Sequence, residues 1–260
     1  MEKVNLLKLS DFEEENLPEF LIVNNNLALI SDVGKRKRAN EDSGATGIRE
    51  DGVVIMVVAD GVSSSHSASF ASKTVTQIIF DILKNSEEFS EELMKKAIEK
   101  ANEKMKNLLT LLGNKKAPKK AETTVVAVMR KNAEVITGWV GDSRAYAVGK
   151  NKVIQITEDD SWCNKVVKAG LMTMDEAKKN NKSHIITQCL GMSREVDIHT
   201  NKINLEKDYG LIVCTDGLYN MIKILPIQWD MPANIEAWFL VSLANKCGGF
   251  DNITIAINKP

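Results

Sequence analysis

Acidic residues recur where apolar stretches of the chain end, each beside a glycine or an asparagine. The set comprises Asp60-Gly61, Gly141-Asp142, Asp216-Gly217, Asp251-Asn252 and the segment Asn40-Glu41-Asp42. Any one of these is an ordinary turn former, because Asp-Gly and Asn-containing pairs favour tight turns between strands. A repeated placement of carboxylates at the ends of apolar strands needs a second explanation, because a carboxylate drawn into a sheet unpaired is costly.

Metal binding is that second explanation. If the strands pack so that their ends converge, the carboxylates repel one another and need divalent cations as counter-charge. A donor set made only of oxygen suits Mg²⁺ or Mn²⁺, and two such ions can share one bridging carboxylate. Water bound between two ions becomes hydroxide near neutral pH and attacks phosphoesters. The pattern indicates a metal-dependent phosphoester hydrolase, provided that the strand ends meet.

The composition excludes several other classes of protein. The chain has 260 residues, with 34 Lys and Arg against 35 Asp and Glu, a formal net charge of −1. A protein built to coat nucleic acid or an anionic membrane would show a basic excess. The four cysteines form no C-x-x-C pair and there are only three histidines. Zinc ribbons and dithiol redox sites are therefore not supported, and carboxylate-bound hard ions are favoured.

Targeting signals are also missing from the sequence pattern. No apolar stretch approaches the roughly 20 residues that span a bilayer. The acidic segment 1–19 lacks the basic start and apolar run of a secretory signal. Because the thiols also show no pairing pattern, we expect a cytoplasmic protein.

Short strands dominate the periodicity, with helical stripes between them. Strands are predicted at 21–31 (a hairpin around Asn24-Asn25-Asn26), 53–59, 123–129, 134–140, 144–148, 152–157, 196–204, 210–214 and 252–257. Helices are predicted at 67–83, 90–112 and 233–244. The polar segment 161–183 has weak periodicity and is typical of an inserted functional flap. This order predicts one α+β domain with helices outside stacked antiparallel sheets.

The order of the motifs resembles a known family. The segments are SDVGKRKRANEDS (31–43), VVADGVSSSHSASFAS (57–72), AETTVVAV (121–128), GWVGDSRAYAV (138–148), ITEDDSW (156–162), HIITQCLG (184–191), LIVCTDGLYNMI (211–222) and GGFDNITIAI (248–257). Together they resemble the bacterial metal-dependent serine/threonine protein phosphatases of type 2C. The resemblance implies a four-layer α-β-β-α sandwich at 21–260, in which 161–183 is a flap, preceded by an N-terminal extension at 1–20.

The resemblance also implies roles for individual residues. Asp60 would bridge two metal ions, the Gly61 carbonyl would bind one of them, and Asp216 and Asp251 would bind the other. Glu41 and Asp42 would hold metal-bound waters. Asp142 would help to bind a third ion, so two or three Mn²⁺ or Mg²⁺ ions are expected.

Two positions depart from the family pattern. The family usually has an arginine three residues before the Asn of its NED motif, to bind phosphate, and here that place is Lys37, flanked by Arg36 and Arg38. Lysine holds phosphate as a point charge without the bidentate fork of arginine, and either neighbour could substitute. The family's proposed general-acid histidine is replaced by Ser65, with His66 one place further on. The catalytic group that protonates the leaving group is therefore left open.

The expected function is hydrolysis of phosphoserine and phosphothreonine in proteins, by a metal-bridged hydroxide attacking phosphorus in line. The expected partners are phosphorylated proteins and a serine/threonine kinase that makes them, with no nucleic acid or membrane, and we expect a monomer. Two alternatives stay open. One is a catalytically weak relative that binds a phosphoprotein or a kinase, and the other is a phosphatase for small phosphoesters, because a fold does not fix its substrate.

Overall fold

The computed structural model describes residues 18–63, 65, 67–112, 121–192 and 195–260. Of the expected N-terminal extension, residues 1–17 lie outside the described residues, and the first strand begins at Glu19. His66 and the basic loop at 115–120 also lie outside them. No helix in the described part of the chain is both long enough and apolar enough to cross a membrane.

Two antiparallel sheets form the centre of the molecule. The strands are β1 (Glu19–Asn24), β2 (Leu27–Asp32), β3 (Ser43–Ile48), β4 (Val54–Ala59), β5 (Val125–Lys131), β6 (Glu134–Val140), β7 (Arg144–Val148), β8 (Val153–Gln155), β9 (His199–Asn204), β10 (Gly210–Cys214) and β11 (Ile253–Asn258). The first sheet has the strand order β1-β2-β11-β10-β7-β8, and the second has the order β3-β4-β5-β6-β9.

Helices cover the outer faces of both sheets. They are α1 (Ala68–Lys84), α2 (Glu91–Leu112), α3 (Trp162–Lys168), α4 (Met174–Lys179), α5 (Asp216–Tyr219) and α6 (Ala233–Lys246). Helices α1 and α2 pack on the second sheet, and α6 packs on the first. The predicted α+β sandwich with four layers, α-β-β-α, is confirmed.

Each layer boundary has its own apolar cluster. In β4, Ile55 and Val57 face α1 and α2, while Met56 and Val58 face the other sheet. In β11, Ile255 faces α6. A strand that is buried on both faces must be apolar at nearly every position. This requirement explains the unbroken run at 53–59, and it leaves strand ends as the places where charged residues can lie.

One strand escaped the sequence prediction. Strand β3 reads SGATGI and has too few β-branched or aromatic residues to be recognised. Its glycines allow close packing on both sides. A Cβ at Gly44 would lie 2.4 Å from the Leu29 side chain, and one at Gly47 would lie 2.9 Å from Phe80.

Two short helices lie within the predicted flap. The Ser161 hydroxyl caps α3, and Thr173 and Glu176 form a reciprocal capping box at the start of α4. Cys163, Val166 and Ala177 form a small apolar cluster between the two helices. The flap therefore has its own local packing, although its apolar residues are too few for a strong periodic signal.

Candidate metal centre

Asp60 lies where β4 leaves the second sheet, and the backbone there is held on two sides. The Asp60 carbonyl accepts a hydrogen bond from the Thr124 amide (2.8 Å), and the Asp60 amide donates to the Thr124 hydroxyl (3.1 Å). The Gly61 amide donates to the Glu41 carbonyl (3.2 Å). A Cβ at Gly61 would lie 2.6 Å from the Ala68 carbonyl oxygen, so only glycine fits at this crossing of three segments.

Asp216 and Asp251 come from the first sheet, at the neighbouring ends of β10 and β11. Asp216 begins the short helix α5, and the Asn252 amide donates to Asp251 Oδ1 (2.8 Å). A Cβ at Gly217 would lie 1.9 Å from the Asn252 carbonyl oxygen. This contact brings the two turns so close together that their carboxylates face a common space.

The Asn252 side chain fastens the loop after β2 to this turn. Its Oδ1 accepts a hydrogen bond from the Glu41 amide (2.8 Å), and its Nδ2 donates to the carbonyls of Val33 (2.8 Å) and Ala39 (2.9 Å). The Asn252 amide holds the Asp251 carboxylate within their shared turn. The structure shows that Asn252 also positions the segment carrying Glu41 and Asp42.

Asp42 is buried beneath the other carboxylates. The Thr215 hydroxyl donates to Asp42 Oδ2 (2.8 Å), and the same hydroxyl accepts from the Thr254 amide (3.0 Å). Asp42 is only 3% exposed. It therefore contributes negative charge that bulk water does not screen.

The electrostatics of the carboxylates show that the strand ends converge. Burial raises the pKa of Asp60 well above its ordinary value, and repulsion from Asp42, Asp216, Asp142 and Asp251 raises it further. Burial, with repulsion from Asp216 and Asp251, raises the pKa of Asp42 to about 7. Burial and repulsion from Asp216 raise the pKa of Asp142 to about 7. The convergence on which the sequence argument depended is therefore present.

Asp216 shows both repulsive and attractive contacts. Burial and repulsion from Asp251 raise its pKa, while a hydrogen-bonding contact with Asp60 and the charge of Lys37 act in the opposite direction. Carboxyl groups so close together are stable only when they share protons or gain counter-charge.

Lys37 is the residue of the basic loop that reaches this cluster. Its Nζ lies 2.7 Å from Asp251 Oδ1 and donates to the Ser63 hydroxyl (3.1 Å), which in turn donates to Glu41 Oε2 (2.9 Å). Burial lowers the pKa of Lys37, but the hydrogen bond with Asp251 and the surrounding carboxylates raise it overall. Arg36 instead lies over the Phe250 ring, 5.7 Å from its centre.

Asp142 lies in the loop between β6 and β7. The Tyr219 hydroxyl donates to the Asp142 carbonyl (2.9 Å), and the neighbouring Ser143 hydroxyl is hydrogen bonded to that of Thr124 (2.8 Å). Thr124 therefore connects this loop to Asp60. Thr124 and Tyr219 lie within the motif segments, but no role was predicted for either, because the sequence around a hydroxyl side chain does not reveal its partner.

Ser65 occupies the position where the family places its proposed acid. It is buried, and its Oγ accepts a hydrogen bond from the Glu122 amide (3.4 Å). The contact is with backbone, so the hydroxyl has a structural partner. The neighbouring His66 is outside the described residues.

The donor set fits hard divalent cations. All the converging groups are oxygen donors, and the buried carboxylates lack the positive charge that their number requires. Among the described residues, no three or more His, Cys, Asp or Glu side chains are already close enough together to hold a metal ion. That spacing is consistent with mutual repulsion and with the pairing of Asp251 with Lys37, both of which a bound cation would relieve.

Comparison with known proteins identifies the family. The family described as Protein phosphatase 2C matches residues 34–240. Protein phosphatase PhpP of Streptococcus pneumoniae is 28% identical over 235 residues, which cover 89% of this chain and 96% of that protein.

Solved structures show the same architecture. The serine/threonine phosphatase of S. agalactiae has a TM-score of 0.79 and 28% identity, covering 89% of this chain and 97% of that one. The catalytic domain of the phosphatase PstP, solved with 2 manganese ions, has a TM-score of 0.69 and 22% identity, covering 90% and 96% of the two chains. This chain belongs to the protein phosphatase 2C family.

Replacing Asn252 tests the fastening of the loop. Asn252→Ala removes three part-buried hydrogen bonds between the side chain and backbone, so we expect the free energy of unfolding to fall by about 2–4 kcal/mol. We also expect weaker Mn²⁺ binding, since Glu41 and Asp42 lose their support. Urea denaturation and calorimetric Mn²⁺ titration measure the two effects, with the exposed Asn151→Ala as control. Wild-type values for both in Asn252→Ala would contradict this role.

The raised pKa values predict how pH acts on the metal-free protein. A carboxyl with an ordinary pKa of 3.8 and a folded pKa of about 7, such as Asp42 or Asp142, binds protons more tightly in the folded state. Its favourable contribution is complete below about pH 4 and is lost as the pH rises through about 7. Mn²⁺ requires the deprotonated form, so its stabilising effect should grow over the same interval.

We therefore expect the increase in Tm caused by Mn²⁺ to be about 3–8 °C larger at pH 8 than at pH 5.5. Differential scanning fluorimetry with and without Mn²⁺ measures this increment, which removes the effect of pH on the rest of the protein. Asp42→Asn is the matched variant, because an amide does not titrate and should reduce the difference. An increment that does not change with pH would show that the carboxylates do not bind the ion.

Proposed function

We propose that this protein is a metal-dependent serine/threonine phosphatase that hydrolyses phosphoserine and phosphothreonine in other proteins. The observation that carries the proposal is the convergence of Asp42, Asp60, Asp142 and Asp216 at one edge of the sandwich, in a chain of the protein phosphatase 2C family. Relatives of similar length are named serine/threonine phosphatases, which supports this substrate class.

The proposed metal ligands follow from the placement of the carboxylates. Asp60 is at the centre, in contact with Asp216, so it is suited to bridge two ions. The Gly61 carbonyl and Asp251 would complete the direct donors, and Glu41 and Asp42 would hold waters around the ions. Asp142, in the loop between β6 and β7, would be suited to a third ion. We propose Mn²⁺ or Mg²⁺, in two or three copies, and the 2 manganese ions of the related PstP structure support at least two.

Different residues of the chain have different proposed roles in catalysis. Bound divalent ions supply Lewis-acid charge and lower the pKa of the water that attacks phosphorus. Asp60 and Asp216 fix where that charge lies. Lys37 Nζ is paired with Asp251, and it would be available to a substrate phosphate if Asp251 were bound to a cation instead.

The alternative of a weak, phosphoprotein-binding relative is not favoured, because every acidic position that the family assigns is occupied by a carboxylate. Comparing the rates of hydrolysis of a phosphopeptide and of small phosphoesters tests the substrate class.

We further propose that the protein acts as a cytoplasmic monomer on proteins phosphorylated by a serine/threonine kinase. Analytical ultracentrifugation of the Mn²⁺-loaded protein tests the monomer.

Asp216→Asn tests the catalytic role of the cluster. The amide keeps the size of the side chain but loses the charge that binds a cation, so we expect release of phosphate from a phosphothreonine peptide with Mn²⁺ to fall at least about 100-fold. The exposed Asp208→Asn, the same change away from the cluster, should keep wild-type activity. Wild-type turnover in Asp216→Asn would contradict the proposed catalytic role of this carboxylate cluster.

Lys37 and its exposed neighbour Arg38 offer a matched pair for phosphate binding. Lys37→Met should lower kcat/KM by about 10- to 100-fold, because one charge-assisted contact with phosphate is lost. Lys37→Arg should retain most activity, since its guanidinium keeps the charge. Arg38→Met should leave kcat/KM close to wild type. Equal losses in Lys37→Met and Arg38→Met would assign the effect to the net charge of the loop.

A further inference from the structure

Asp160, at the start of the flap, makes two hydrogen bonds to Gly141, the residue before Asp142. Its amide donates to the Gly141 carbonyl (2.9 Å), and its Oδ2 accepts from the Gly141 amide (2.9 Å). The Asp160 side chain is 11% exposed. Asp160 belongs to the ITEDDSW segment, to which the sequence analysis assigned no chemical role.

The second carboxylate oxygen of Asp160 contacts both the segment that follows the flap and the edge strand β9 of the second sheet. Asp160 Oδ1 accepts from Gln188 Nε2 (3.1 Å) and lies 3.0 Å from His199 Nε2. The Asp160 carbonyl accepts from the Thr187 amide (2.6 Å), so both ends of the flap segment meet at this residue. The His199 ring stacks on Trp139, with centres 5.1 Å apart.

These bonds cross a region that side chains do not fill. A cavity of about 660 Å³ lies between the flap and the sheet edge, and Trp139, Asp160 and His199 are among the residues that line it. No continuous apolar core of the described residues fills this place. The segments that flank the flap are therefore attached to the sheet by hydrogen bonds.

Gly141 needs an external support. Its φ is +106°, a conformation that side chains rarely adopt, and a Cβ there would lie 2.7 Å from Thr124 Cβ. A glycine in such a conformation is not held by its own local preferences. The hydrogen bonds from Asp160 on both sides of the Gly141 residue supply that support.

The preceding residue supports the same loop from the other side. Asp159 accepts from Arg144 Nε (2.8 Å) and Nη2 (2.5 Å). The Arg144 guanidinium lies over the Tyr219 ring, 3.6 Å from its centre, and the Tyr219 hydroxyl donates to the Asp142 carbonyl (2.9 Å). Asp160 thus holds Gly141, the residue before Asp142, while Asp159 supports the Asp142 carbonyl indirectly, through Arg144 and Tyr219.

We propose that Asp160 is a positioning residue that sets the geometry of Asp142 for the cation it would hold, and that couples this site to the segment that follows the flap. The proposal rests on the proposed function, which makes Asp142 a metal ligand. Asp160 does not touch the ion or the substrate; it acts through the Gly141 amide. The Asp160 carboxylate binds Gly141 through Oδ2, and Gln188 and His199 through Oδ1. A shift of the segment that carries Gln188, which follows the flap, is therefore transmitted to the Gly141-Asp142 turn.

Calorimetric Mn²⁺ titration of the full chain tests the proposal directly. In Asp160→Ala we expect the weakest Mn²⁺ binding step to weaken by about tenfold or more, the usual effect of removing a group that orients a metal ligand. We also expect a lower kcat for phosphopeptide hydrolysis with little change in KM. Asp160→Asn should restore part of both values, because an amide oxygen can still accept from Gly141. The exposed flap variant Asp175→Ala should match wild type.

Wild-type Mn²⁺ affinity and kcat in Asp160→Ala would overturn the proposal. If Asp160→Ala lowers Tm by more than about 5 °C, His199→Phe takes its place, because it keeps the ring against Trp139 and loses only the bond to Asp160. Weaker Mn²⁺ binding in His199→Phe supports the proposal, and wild-type binding overturns it. A wild-type protein that hydrolyses no phosphopeptide would sink the proposed function, whereas the Mn²⁺ titrations would still decide the role of Asp160.

Discussion

The repulsion between carboxylates buried at one edge of the sandwich is the constraint on which the rest of the structure depends. Asp42 is buried and Asp60 is half-buried close to it, so burial and like charge act in the same direction on their pKa values. Apolar residues at these positions would make the folded protein more stable. Keeping these groups together requires a rigid frame that the repulsion cannot open, and the two sheets with their covering helices supply it.

That frame holds the carboxylates through backbone contacts more than through their own side chains. Thr124 binds both the amide and the carbonyl of Asp60. Asn252 binds three backbone groups of the loop that carries Glu41 and Asp42. Because the peptide groups are held, the carboxylate oxygens stay available for cations. The segment just before the flap takes part in the same arrangement, since Asp160 binds Gly141 beside Asp142.

Much of the fold follows from local pattern, because strands buried on both faces and amphipathic helices have periodicities that need no tertiary information. Strands β6, β7 and β10 begin and end where the sequence predicted. Strand β3 was missed because its small residues are selected by close packing against Leu29 and Phe80, which local pattern does not reveal. The helices of the flap were missed for a related reason, since a three-residue cluster leaves little periodic signal.

The class of chemistry can be predicted from the amino-acid sequence alone. The sequence has an all-oxygen set of donors at strand ends, too few histidines for zinc, and the order of motifs that marks the protein phosphatase 2C family. The folded structure was needed to show that these carboxylates meet, that Lys37 reaches them while Arg36 turns to Phe250, and that Asp160 supports Asp142. These contacts join residues that are far apart along the chain. Asp60 and Asp216 come into contact because the two sheets pack face to face. The sequence around each residue does not reveal how the sheets pack.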